Sequence, residues 1–126
     1  MTQDDKDLLL RDLCARLPYG VCYKHFTWDD DRGGECVAAK IYSINSDGYV
    51  KNCYDDETVY IDDVHPYLFP LSSMTDEQKK EYRHITMYDS SYTISDSTDW
   101  LNKNHFDYRG LIPKGLAIDA TGLKIY

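Results

Sequence analysis

Hydrophobic positions change their period along the chain. Between Gln3 and Leu17, the residues Leu9, Leu10, Leu13, Cys14 and Leu17 recur at spacings of three and four, which sets them on one face of a helix over residues 3–17. Thr2, followed three residues later by Asp5, forms a weak capping box, and Pro18 with Tyr19-Gly20 ends the helix. Asp5, Arg11, Asp12 and Arg16 fall on the other face, so the helix is expected to lie on a core with these charges in water.

From Val21 the period becomes two and the residues become β-branched and aromatic, predicting strands over 21–28, 36–44, 49–54 and 58–61. The connections agree: Asp29 to Gly34 is a polar loop, Asn45-Ser46-Asp47-Gly48 carries a hairpin signal, and Asp55-Asp56-Glu57 is a turn. Three hairpins in succession imply an antiparallel meander. The second strand is apolar on both faces, which suits a curled sheet or small open barrel.

Tyr67-Leu68-Phe69-Pro70-Leu71 follows Pro66 and is apolar, but two prolines lacking amide donors argue against a central strand, so this stretch is expected to be an extended cover over the sheet. A second helix is predicted from the Thr75 cap to about Ile85, with Tyr82 and Ile85 inward. Residues 88–97 read as a loop with a short strand at 92–94. A third helix is predicted over 98–105, capped by Asp96 or Ser97 and anchored by Trp100 and Leu101. The glycine- and proline-containing end, 106–126, holds no long element. The expected fold is α+β in a single domain over 1–126: an N-terminal helix, a four-stranded antiparallel curled sheet or small open barrel, and two short C-terminal helices.

Charge narrows the partners. The 126 residues carry 14 Lys and Arg against 22 Asp and Glu, a net charge of −8, of which −7 falls on residues 1–70. A field of that sign repels nucleic acid and anionic membranes. No apolar run approaches the ~18 residues of a membrane span, and Leu8-Leu9-Leu10 is too short for a signal-peptide core, so a cytoplasmic protein is expected. In a reducing compartment Cys14, Cys22, Cys36 and Cys53 should be free thiols, and free cysteines pack as small hydrophobes, so they are expected to be mostly buried.

Motifs for chemistry are sparse. There is no CxxC pair, no GxGxxG and no phosphate-binding loop, so no cofactor is expected. Asp29, Asp30, Asp31 and Glu35 lack the alternating ligand pattern and central glycine of a calcium loop. Asp62, Asp63 and His65 form a weak local candidate for a divalent ion, with turn capping before Pro66 as the plainer account. Around Trp100 to Ile112, aromatic residues and Arg109 gather near Gly110, a composition that protein interfaces favour. His105, Tyr108 and Arg109 are therefore the candidate protein-binding residues. The competing account has Trp100, Phe106 and Tyr108 pinning the C-terminal segment to the core, with Trp100 buried and Arg109 paired to a carboxylate.

Three stretches carry a resemblance: residues 7–21, which end Leu17-Pro18-Tyr19-Gly20-Val21; residues 64–75, with His65-Pro66-Tyr67-Leu68-Phe69-Pro70-Leu71; and residues 99–117, with Tyr108-Arg109-Gly110-Leu111-Ile112-Pro113. Together these 46 residues resemble a family of small uncharacterised proteins encoded by gut Bacteroidales and their phages or mobile elements. The resemblance brings no activity and transfers no catalytic or binding residue. The leading expectation is a non-enzymatic protein binder, monomeric or weakly dimeric. The alternatives are an acidic nucleic-acid mimic that inhibits a host or phage enzyme, and a small enzyme centred on Asp62, Asp63 and His65. An exposed aromatic patch favours the first, phosphate-like carboxylate spacing the second, and a deep polar pocket the third.

Overall fold

A computed structural model describes residues 1–31, 33–55, 57–88 and 94–126, with the side chains of Asp29, Tyr88 and Ile94 outside the description. The first helix, α1 (Gln3–Arg16), starts at Thr2, whose Oγ1 accepts the Asp5 amide at 3.1 Å while the Asp5 carboxylate accepts the Thr2 amide at 3.3 Å. After a 3-10 turn at Leu17–Tyr19, Gly20 adopts φ +73°, a left-handed conformation that ends the helical segment at little cost for a glycine. The face of α1 turned inward is not the one expected. Leu9 and Leu13 are buried, but so are Asp12 and Arg16, which the sequence reading placed in water. Asp12 and Arg16 share the same three-and-four spacing as Leu9 and Leu13, and pairing with each other lets both charges enter the interior.

Four strands follow, β1 (Cys22–Asp29), β2 (Gly33–Ile44), β3 (Tyr49–Asn52) and β4 (Thr58–Tyr60), in an antiparallel sheet of order β1-β2-β3-β4 that curls into a half-barrel. The β2–β3 hairpin is fixed by Asn45, whose Oδ1 accepts the amides of Asp47 and Tyr49 at 3.0 Å, and by Gly48 at φ +87°. Strand lengths are unequal: β1 and β2 pair from Cys22↔Lys40 to Asp29↔Gly33, while β3 pairs with β2 only over Ile41 to Ile44. On the other edge of β1, a bridge from Tyr23 to Pro66 and a bond from the Lys24 amide to the His65 carbonyl mark the base. The distal halves of β1 and β2 therefore run on past these contacts as a two-stranded ribbon.

Residues 67–70 depart from the expected cover. β5 (Tyr67–Pro70) is the central strand of a second, parallel sheet, flanked by β6 (Phe106–Asp107) and β7 (Ile118–Asp119). The prolines are tolerated because they stand at the strand's ends and its neighbours are only two residues long. Pro66 contributes its carbonyl to the Ile118 amide, Leu68 its carbonyl to Ala120, and Phe69 its amide to the His105 carbonyl, each at 2.8 Å. The C-terminal segment is thereby threaded into the structure through backbone bonds.

The second helix, α2 (Asp76–Arg83), has the expected Thr75 cap, completed by Gln78, and passes into a π-helical turn at His84–Tyr88. The third, α3 (Ile94–Lys103), begins four residues earlier than expected, with Asp96 in its first turn facing the positive helix end. Ile94, expected to end a short strand, is helical instead; Tyr92 and Thr93 of that strand lie outside the described residues. The larger apolar cluster packs Leu9 and Leu13 of α1 against Val21, Tyr23, Ile41, Val50 and Leu68. A smaller one surrounds Trp100, Leu101 and Phe106, with Trp100 stacked on Tyr82 and on Phe106 at ring separations of 5.4 and 5.6 Å.

The cysteines correct one expectation. All four are free, but Cys14, Cys36 and Cys53 are exposed and Cys22 is half-buried. Cys14 sits one position off the inward stripe of α1, and Cys36 lies on the outer face of the ribbon. No helix among the described residues is long and apolar enough to cross a membrane.

Candidate functional site

The ribbon presents different chemistry on its two faces because side chains alternate along a strand. Outward, Phe26 and Trp28 stand two residues apart on β1 with 59% and 69% of their surfaces exposed. Opposite them on β2 are Cys36 and Gly34. The absence of a side chain at Gly34 lets the aromatic rings lie across the ribbon: a methyl group there would overlap the Phe26 ring and press on the Trp28 indole. The Trp28 Nε1–H donates to Asp30 Oδ1 at 3.1 Å, which ties the indole to the acidic turn.

Inward, Tyr23 and His25 are buried. The His25 Nδ1 lies 3.2 Å from the Tyr23 hydroxyl, which accepts a hydrogen bond from Asn52 Nδ2 at 2.8 Å. On the other side of the ring, Nε2 faces Asp55 Oδ2 at 2.9 Å and Glu57 Oε2 at 3.7 Å. Asn52 shapes the turn that delivers these carboxylates, its Oδ1 accepting the amides of Tyr54 and Asp55, and Asp55 Oδ1 in turn accepts the Glu57 amide. Loss of water pushes the Asp55 carboxyl up, but its hydrogen bonds, led by that from His25, outweigh this and hold it below its ordinary value. Burial, with Asp55 and Glu57 nearby, pushes the Tyr23 phenol above its ordinary value. A cleft of about 400 Å³ opens beside the group and reaches round to the outward residues, with Lys24, Phe26, Cys36, Val59 and Asp63 on its walls.

The residues singled out from the sequence have other places. His105 is buried and stacks on Tyr126 with ring centroids 3.6 Å apart, and the Tyr108 hydroxyl donates to Asn102 Oδ1 at 3.0 Å. Arg109 donates to Asp12 Oδ1 at 2.8 Å and covers the Tyr108 ring. All three thus have internal partners. Asp62, Asp63 and His65 do not converge: Asp62 pairs with Lys6 at 3.5 Å, and the His65 backbone carbonyl serves β1. In the acidic turn, Asp30 holds Trp28.

Among the described residues, the donor atoms that do converge are those of His25, Asp55 and Glu57. Thirty positions separate His25 from Asp55, and no local motif links them. The alternation of β1 indicates which face His25 takes, but only the curl of the sheet brings the turn at 52–55 and Glu57 beneath it. No family model, curated protein or solved structure matches the chain, so the chemistry of these surfaces rests on their own geometry.

Proposed function

We propose that this chain is a cytoplasmic, non-enzymatic protein-binding or accessory protein carried by a mobile element. The observation that carries the reading is the Phe26–Trp28 pair, two large aromatics mounted side by side on a projecting ribbon with most of their surface in water. Interfaces draw most of their binding energy from such anchors when they enter an apolar pocket. Asp30 and Asp31 beside them, on a chain of net charge −8, fit a partner whose apolar groove has a basic rim. Four free thiols suit a reducing compartment.

The test is capture of the partner from native cells followed by titration of the purified pair. Trp28→Ala should weaken binding by at least about tenfold, as expected for an aromatic anchor. Gly34→Ala should also weaken it, because a methyl group there displaces the Phe26 ring although neither aromatic residue is substituted. Affinity should fall as salt is raised. Binding that ignores both aromatics but is lost when acidic residues are neutralised would replace this reading with the nucleic-acid-mimic one.

A further inference from the structure

The inner face of the ribbon joins one imidazole and two carboxylates from separate segments, and we propose that His25, Asp55 and Glu57 form a divalent metal site of the zinc type. The three donor atoms lie within 4.8 Å of one another. Ligands about 2.0–2.1 Å from a shared ion stand about 3.0 Å apart at a right angle and about 3.4 Å apart at a tetrahedral angle. The separations of 2.9 Å and 3.7 Å from His25 Nε2 to Asp55 and Glu57 bracket that range. A hydrogen bond from His25 to Asp55 accounts for the shorter distance alone. It leaves unexplained a second carboxylate directed at the same nitrogen, bringing like charges together at a point where one cation satisfies all three donors.

The ligands are held in advance. Metal-binding imidazoles are oriented through their second nitrogen, and here the Tyr23 hydroxyl, itself anchored by Asn52, faces Nδ1. Asp55 uses Oδ1 on the Glu57 amide, which leaves Oδ2 directed at the site. His25 is 4% exposed, whereas the Asp55 and Glu57 side chains are 29% and 62% exposed, so the site has a dry floor and a wet mouth. The cleft supplies room for solvent to complete the coordination. Lys24 and Asp63 on its walls offset one another, which leaves retention of the ion to the direct ligands. A nitrogen ligand with two oxygens favours Zn²⁺ over Mn²⁺, and both over Mg²⁺, which prefers oxygen and water.

The experiment uses the full chain with exposed Cys14, Cys36 and Cys53 replaced by Ser, so that thiols do not compete, titrated calorimetrically with ZnCl₂, MnCl₂ and MgCl₂. The expected result is one Zn²⁺ per chain, weaker Mn²⁺ uptake, and a Zn²⁺-dependent rise in melting temperature. Asp55→Asn and Glu57→Gln, both at the wet mouth where substitution spares the core, should each lower Zn²⁺ affinity by at least about tenfold. No uptake at about 100 μM Zn²⁺, or uptake indifferent to both carboxylate substitutions, overturns the site. Protein binding is read separately through Trp28→Ala, because Trp28 lies outside the cleft, whereas Phe26 lines it beside His25 and Glu57.

Discussion

Arg16 and Asp12, one helical turn apart on α1 and both without exposed side-chain surface, form a two-point ion pair, with Nε to Oδ2 at 2.8 Å and Nη2 to Oδ1 at 3.1 Å. The pair reaches beyond its helix. Arg16 Nη2 also donates to the Phe106 carbonyl at 2.6 Å, and Arg109 shares the Asp12 carboxylate. Through these contacts α1 holds the C-terminal segment on which Trp100 and Phe106 build the smaller core.

Breaking that pair should be costly because removing one partner strands the other. Arg16→Ala leaves Asp12 buried with only Arg109 and leaves the Phe106 carbonyl without its donor, an expected loss of about 3–5 kcal/mol in urea unfolding. Replacing both Asp12 and Arg16 by Leu should recover part of it. A loss below about 1 kcal/mol in the single variant would show that the network does not hold the two parts together.

The two tryptophans should behave oppositely. Trp100 is 8% exposed and stacks on both Tyr82 and Phe106, so Trp100→Ala should cost about 3–5 kcal/mol. Trp28 is 69% exposed, and Trp28→Ala should change stability by no more than about 0.5 kcal/mol. Chemical denaturation of the two variants separates the roles, and comparable losses would mean that the ribbon's aromatics belong to the core.

Acid should weaken the fold through His105. Burial, followed by the charge of Arg16, lowers its pKa from 6.5 to about 4, and its other close neighbour, Tyr126, stacks on the ring without charge. Below pH 6.5 the unfolded chain takes up a proton that the folded chain refuses until about pH 4, so stability falls across that window, by up to about 3 kcal/mol. His105 has φ +62°, a conformation that Asn tolerates, so His105→Asn should remove this slope without straining the backbone. A wild-type slope retained in the variant would assign it to other groups.

Thiol reactivity should follow exposure. Cys14, Cys36 and Cys53 should react rapidly with a disulfide reagent in the native state. Cys22 should lag because burial pushes its thiol pKa up. Four equally slow thiols would contradict the exposed placement of three of them.

Local signals were enough for α1, its Thr2 cap, the four-stranded antiparallel sheet and the burial of Trp100. These follow from periodicity, capping and turn chemistry, which act between residues a few positions apart. Packing alone places Asp12 and Arg16 inside, since their position depends on Phe106 and Arg109, some ninety positions away. It also makes β5 central, because parallel pairing joins segments no local pattern connects. The same holds for His25, Asp55 and Glu57. Alternation gives His25 its face, but the curl of the sheet alone carries the two carboxylates to it, as distant contacts set by packing leave no mark in local spacing.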